Sequence, residues 1–338
     1  MPSHDIIVVG ASAGGVEALR ALVGNLPSDL PAAILVVLHV APDHKSVLPH
    51  ILSGSGPLPA AHANDGEQLL PGRIYVAPPD RHLVVDEDLV RLSRSAREGG
   101  HRPAIDTLFR TAARFHGARV VAVVLSGALD DGTAGMVAVK RHGGVTVVQD
   151  PDEAVCADMP RSALENVEID HCLPAAGIGE LLARLAHQRV ELRSPIDPLL
   201  EQETKIALEQ EGALDKPPGR PSEFACPACG GVLNEVHEGK LLRFRCRVGH
   251  AYTPASLSSE QRLALEGALW ASLRALEEQA TLNRRLAARA RERGQPRSAS
   301  RFEESCAAAE DQARIVREAL SRGSLPGFPD EVPQRDPV

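Results

Sequence analysis

Residues 8–17 read VVGASAGGVE, an apolar run that stops at a glycine-rich turn around one hydroxyl, Ser12. Two chemistries compete for such a turn. A dinucleotide loop needs Gly-x-Gly-x-x-Gly, whose second glycine lets the backbone approach a pyrophosphate. Here Gly10 is the first glycine and Ser12 stands in the place of the second. The Gly-Lys-Ser/Thr of a P-loop is missing as well. What residues 10–14 do match is Gly-x-Ser-x-Gly, the strand-to-helix turn that exposes a serine nucleophile. A helix starting near Gly15 would aim its free N–H groups at the same spot, where an oxyanion could develop. The plainer alternative is a turn in which Ser12 only caps that helix.

A nucleophilic serine needs a base, and the base needs an orienting group. His39 follows the apolar run AILVVL, and Asp130 and Asp131 follow VVAVVL in the segment LSGALDDGTAGM. The carboxyl ends of parallel strands share one edge of an open α/β sheet. Three strands would then deliver a serine, a histidine and an aspartate to that edge. His82 and Arg102 lie on segments that could approach it, and each also suits a structural hydrogen bond.

The elements that must position these residues emerge from the apolar pattern. Runs at 6–9, 33–38, 120–125 and 145–148 are continuous and β-branched, as in strands buried on both faces. Helix-like stretches at 16–24, 104–115 and 134–142 alternate with them, which predicts a doubly wound α/β domain with a parallel sheet. Residues 74–92 differ, reading as short strands about an acidic turn at Asp86–Asp88, a β-hairpin insertion.

Beyond residue 188 the pattern changes. Residues 189–223 are proline-rich with one helix-like piece and are expected to be a linker. Cys226-x2-Cys229-x16-Cys246-x3-His250 comes next, two knuckles whose spacing suits one tetrahedral zinc ion in a ribbon-like module at 224–253. His237 is the weaker candidate for the fourth ligand. Four protein ligands close the site, so the zinc would be structural; a redox Cys-x2-Cys pair is the competing reading. Cys156, Cys172 and Cys306 lack such spacing and are expected to be buried packing residues.

Residues 254–322 read as a helical hairpin. Thr253 or Ser256 would cap the first helix, and Gly294–Gln295–Pro296 would break it from the second. Leu269, Leu273, Leu276 and Ala280 on one helix, and Phe302, Cys306, Ala309, Ala313, Val316 and Leu320 on the other, repeat at heptad spacing. Residues 323–338 are expected to be a disordered tail.

Composition excludes some classes. The 338 residues are 43% hydrophobic with a net charge of −8, which supplies no phosphate-neutralising field, so nucleic acid is not expected as a partner. No basic start leads into a long apolar stretch, and no apolar run approaches the ~20 residues that span a bilayer. A cytoplasmic protein without membrane insertion is expected. RLSRSAREGGHR at 91–102 is a local basic patch, solvated or turned to an acidic partner.

Residues 4–188 resemble the catalytic domain of the CheB family of chemotaxis protein-glutamate methylesterases. The resemblance rests on IIVVGASAGGVEAL, VVLHVAPDH, GRIYVAPPDRHLVV, HRPAIDTLFRTAA, LSGALDDGTAGM and VVQDPDEAVCADMPRSAL, in that order. It implies hydrolysis of glutamyl methyl esters on the cytoplasmic helices of chemoreceptors, with glutamine deamidation as a possible companion and no cofactor for catalysis. It also implies Ser12 as nucleophile, His39 as general base and acid, and Asp131, which directly precedes the glycine, as orienting carboxylate.

The chain departs from the family pattern at Ala13, where a threonine is usual, at Val40, where a methionine is usual, and at Gly127–Ala128–Leu129, where Gly-Met-Gly is common. A typical member begins with a receiver domain, whereas this chain starts at the first catalytic strand, so control by phosphorylation in cis is not expected. The zinc module and hairpin are expected to bind a regulatory partner instead. A chain ending near Gln188 would then fold and stay hydrolytic. Two other functions compete: a non-catalytic receptor-binding scaffold and a nucleotide-binding protein. An intact Ser12, His39 and Asp131 disfavours the first. Ser12 at the second glycine position, with His39 where an acidic residue would bind ribose, disfavours the second.

Overall fold

The computed structural model describes residues 2–42, 46–191 and 197–321. The tail expected at 323–338 lies outside them. The described residues fall into two compact units, one ending at Glu260 and one beginning at Gln261.

The first unit is built on a seven-stranded sheet whose pairings are all parallel. Its strands are β1 (Ile6–Ala11), β2 (Ala33–Leu38), β3 (Ala60–His62), β5 (Arg73–Val76), β8 (Val120–Val124), β9 (Val145–Gln149) and β10 (His171–Leu173), in spatial order β10-β9-β8-β1-β2-β5-β3. Side chains alternate between the two faces, so each strand feeds two cores. Ile7, Val9, Ile34, Val36, Val121 and Val123 pack under helices α1 (Gly15–Gly24), α2 (Leu48–Ser55) and α6 (Ala175–Leu185). Ile6, Val8, Leu35, Val37, Val120 and Val124 pack under α3 (Ile105–His116), α4 (Thr133–Arg141) and α5 (Asp158–Asn166). The continuous apolar runs are thus the signature of a sheet covered on both sides.

The insertion differs from its expected form. Strand β5 joins the parallel sheet beside β2 and is no part of the hairpin. The hairpin proper is β6 (His82–Asp86) and β7 (Leu89–Ser93), extended by β4 (Glu67–Gln68) into a separate three-stranded sheet.

The segment expected as a linker contains the helix-like piece read there. Residues 198–207 form helix α7 (Pro198–Ala207), which packs on α3. Beyond it, β11 (Arg220–Ala225), β12 (Val232–Glu238), β13 (Leu241–Cys246) and β14 (Ala251–Tyr252) make a four-stranded antiparallel sheet. These pieces share a buried ion cluster with the α/β segment. Glu203 of α7 accepts from Arg245 Nε at 2.9 Å and Arg243 Nη2 at 3.1 Å, and Arg110 of α3 approaches it at 3.4 Å. Glu98 accepts from Arg245 Nη2 at 2.8 Å, and Glu238 from Arg243 Nη1 at 2.9 Å. Burial pushes the Glu203 carboxyl up, but Arg243, Arg245 and Arg110 outweigh it and hold it down at about 2. Buried charges persist only when paired in this way. The α/β segment is therefore not closed at Gln188: helix α3, 10 of whose 12 residues are buried, turns its polar face to α7 and β13.

Helix α8 (Pro254–Glu292) starts in the first unit. Pro254 at its first turn and a reciprocal pair at its start, Ser256 N–H to Thr253 Oγ1 and Thr253 N–H to Ser256 Oγ, form a capping box. In the second unit, the rest of α8 and α9 (Pro296–Ser321) pair antiparallel through ion pairs Glu277–Arg317, Arg284–Glu310 and Arg291–Glu303. Of the residues at heptad spacing, Leu273, Ala280, Cys306, Ala309 and Ala313 are buried. Of the three cysteines expected to be buried, Cys306 is; Cys172 is exposed and Cys156 half-buried. Among the described residues, no helix is long and apolar enough to cross a membrane.

Candidate active site

Strands β1, β2 and β8 are neighbours, in the order β8-β1-β2. Their carboxyl ends bring together the three residues singled out from the sequence. Ser12 Oγ lies 3.2 Å from His39 Nδ1, and His39 Nε2 lies 2.8 Å from Asp131 Oδ2. A carboxylate only accepts, so Nε2 carries the proton and Nδ1 is left to accept from the serine hydroxyl. The His39 and Asp131 side chains are 7% and 9% exposed, which keeps their hydrogen bond out of water.

Asp131 is fixed by more than His39. Its Oδ2 also accepts from Ile105 N–H at 2.7 Å, and its Oδ1 from Asp106 N–H at 2.9 Å. Those amides are the first two of α3, whose own cap residue, Ala104, offers no side-chain acceptor. Asp131 thus caps a helix from another element, and the helix N-terminus favours its negative charge. Burial pushes the Asp131 carboxyl up, but the hydrogen bonds from His39 and the Ile105 amide help outweigh it and hold it below the usual range. The cap is reciprocal: Asp106 Oδ1 accepts from Gly132 N–H at 3.0 Å and Gly135 N–H at 2.7 Å, at the start of α4. Burial, with the Asp131 charge beside it, pushes Asp106 up to about 8.

The Ser12 turn is shaped by Ser126, two residues past the end of β8. Its carbonyl accepts from Ser12 N–H at 2.9 Å, and its hydroxyl donates to Ala13 O at 2.6 Å. The Ser12 amide is therefore occupied, whereas the amides of Ala13 and Gly14 have no acceptor among the described residues. Two glycines allow the close approach. Gly14 sits at φ 71, where a Cβ would lie 2.8 Å from Ser126 Oγ, and a Cβ on Gly127 would lie 2.8 Å from Ser12 Cβ.

Two residues of the site went unnoticed in the sequence. His101 stacks on His39 with ring centroids 3.8 Å apart and planes 9° from parallel. Ser126 is the other. Both lie inside segments that marked the family resemblance, HRPAIDTLF and LSGALDD, but neither has a spacing of its own. His82 does not join the site. It is fully buried, accepts from Ala104 N–H and faces Ala96 O, and burial holds it down at about 4, a structural role. Arg102 pairs with Asp80 at 2.7 Å, and Arg94 with the same carboxylate at 3.0 Å. Part of the basic patch at 91–102 is thereby neutralised within the chain.

The metal candidates also converge. The ligand atoms of Cys226, Cys229, Cys246 and His250 all lie within 4.8 Å of one another, whereas His237 is exposed and stands apart beside Glu235. Cys229 Sγ is 3.7 Å from Cys246 Sγ, and His250 Nδ1 is 3.7 Å from Cys226 Sγ and 3.6 Å from Cys246 Sγ.

Comparison with known proteins points one way. Residues 7–182 match the family model described as CheB methylesterase. A Leptospira interrogans protein is 35% identical over 192 residues, which cover 56% of this chain and 100% of that protein. The Thermotoga maritima protein-glutamate methylesterase/protein-glutamine glutaminase is 36% identical over 187 residues, 54% of each chain. A Pseudomonas aeruginosa protein of the same name, numbered 2, is 35% identical over 193 residues, 56% of this chain and 55% of its own. This chain therefore spans about half the length of the last two. The crystal structure of the Thermotoga maritima CheB methylesterase catalytic domain superposes with a TM-score of 0.52 at 36% identity, covering 54% of this chain and 98% of that one.

Proposed function

The chain belongs to the CheB methylesterase family, and on that premise we propose that it hydrolyses methyl esters of glutamate side chains on chemoreceptor-like proteins in bacterial signalling, with deamidation of glutamine as a second reaction. The observation that carries the reading is the unbroken hydrogen-bond chain Ser12–His39–Asp131 at one sheet edge. In this reading His39 Nδ1 takes the Ser12 proton as Oγ attacks the ester carbonyl. Asp131 holds the ring by its Nε2–H and stabilises the imidazolium. The amides of Ala13 and Gly14, which have no acceptor among the described residues, are suited to receive the oxyanion. His39 then protonates the leaving methoxide, and methanol departs. Water, deprotonated by His39, releases the glutamate from Ser12. From glutamine the same steps release ammonia. Ala13 and Ala128, which replace bulkier family residues, would affect rate and not the order of steps.

The methylated helices of a receptor lie in the cytoplasm, so the enzyme is assigned there, with no membrane insertion and no nucleic-acid partner. No cofactor is needed for the chemistry. A structural zinc ion is proposed for Cys226, Cys229, Cys246 and His250. Tetrahedral ligands at about 2.3 Å for sulfur and about 2.0–2.1 Å for nitrogen stand roughly 3.5–3.8 Å from one another. The 3.6 Å and 3.7 Å separations found here match that donor set. When bound, zinc would lock the two knuckles of the ribbon together.

The test is methanol release from a methylated chemoreceptor. Ser12→Ala is expected to lower kcat by roughly 10⁴–10⁶-fold. Equal rates for wild type and Ser12→Ala would end the esterase reading and favour a scaffold that only docks receptors.

A further inference from the structure

The ribbon does not stand apart from the chemistry; it meets the two turns that frame His39 and Asp131. Strand β14 pairs with the 97–101 turn: Gly99 N–H donates to Ala251 O at 2.8 Å, and Ala251 N–H to Arg97 O at 3.4 Å. Glu98 in that turn is also held by Arg245 of β13. The turn ends at His101, whose ring lies flat on His39. Two residues after Ala251, Thr253 Oγ1 donates to Asp130 Oδ1 at 2.9 Å. Asp130 is the neighbour of Asp131, in a turn that passes through Leu129 at φ 63. A branched side chain adopts that left-handed conformation only where its surroundings hold it there. Between these groups remains a cavity of about 20 Å³, lined by His101, Asp130, Tyr252 and Thr253 among others. That is room for about one water molecule, so the two surfaces are close-packed.

We infer that Thr253 is a positioning residue for the Ser12–His39–Asp131 reaction, and that the ribbon completes the frame of the active site through Thr253 and β14. The side chain touches no reacting atom. It ties the Asp130 turn to the same short stretch, 251–253, that ties down the His101 turn. Asp131 and the ring stacked on His39 are therefore set relative to one another by a segment outside the family-matched residues 7–182. The hydroxyl is the necessary part. Thr253→Val keeps the shape and removes the donor to Asp130, while Thr253→Ser keeps the donor and removes a methyl group.

This inference rests on the hydrolase reading, so its test separates the two. Wild type, Ser12→Ala, Thr253→Val and Thr253→Ser are assayed on p-nitrophenyl acetate, a small activated ester, and on a methylated receptor, with thermal melting of each. Ser12-dependent turnover by wild type is the control, and its absence removes the hydrolase reading itself. With it in place, Thr253→Val is expected to lower kcat about tenfold on both esters at unchanged KM, with Thr253→Ser within about twofold of wild type. The common factor on both esters would mark a fault in the triad, not in receptor docking. A Thr253→Val enzyme within twofold of wild type overturns the inference. So does a loss confined to KM, or a loss that Thr253→Ser shares in full and that tracks the unfolded fraction at the assay temperature.

Discussion

Replacing Glu203 by glutamine tests whether the residues after 188 are part of the first unit's core. The carboxylate is fully buried and serves three guanidinium groups. Glutamine is nearly isosteric but has one carbonyl oxygen, and its NH2 must face an arginine. One acceptor toward Arg245 can survive, and two charge-assisted interactions are lost. At about 1.5–3 kcal/mol for each hydrogen bond to a charged group, the loss is ~3–6 kcal/mol. Breaking a buried ion pair by removing one partner costs about 3–5 kcal/mol by an independent route, so the two agree. Glu201, on the same helix, is the control. Its pair with Arg114 leaves the carboxylate side chain 32% exposed, so solvent screens it. Glu201→Gln should cost no more than about 1 kcal/mol. Thermal unfolding followed by circular dichroism reads both. Glu203→Gln should lower the midpoint by roughly 6–24 °C, using about 2–4 °C per kcal/mol for a domain of this size. Midpoints for the two variants that agree within about 3 °C would refute the argument, because burial would then have added nothing to the same chemistry.

Asp106→Asn probes the other member of the capping pair. The folded state raises this carboxyl to about 8 from 3.8. Between those values the native chain holds a proton that the unfolded chain has released, so this group makes stability fall as pH rises through that window. Urea titrations at several pH values in that window should show a slope against pH altered by one proton in Asp106→Asn; equal slopes would mean that Asp106 is already ionised in the native protein. For the ribbon, metal analysis should find one zinc per wild-type chain and none bound to Cys226→Ser after mild chelation. Unchanged zinc in that variant would remove the four-ligand assignment.

Much of the site is legible in the sequence because its signals are local. Ser12, His39 and Asp131 each follow an apolar run long enough to be a buried strand, and strand ends in such a sheet share an edge. The cysteine spacing is legible for the same reason, since each knuckle is a single turn. Strand β5 reads as part of the hairpin because a four-residue strand carries too short a pattern to say which sheet it joins. His101 and Ser126 act through contacts, a stacked ring and a carbonyl, that leave no mark on residue type.

Helix α3 shows where the division falls. Its sequence determines an amphipathic helix, because apolar side chains recur at the helical pitch and the pitch is set by neighbours in the chain. Its polar stripe, with Asp106 and Arg110, would suit water equally well. Only the tertiary structure decides that the stripe is buried, by bringing Glu98, Glu203, Arg243 and Arg245 onto it. Glu98 and Arg245 are 147 residues apart. Periodicity reports that a face is polar or apolar; it cannot report which distant charge will neutralise it. The same holds at the edge of the sheet, where the sequence marks Ser12, His39 and Asp131 and the packing of separate segments brings them within hydrogen-bond distance.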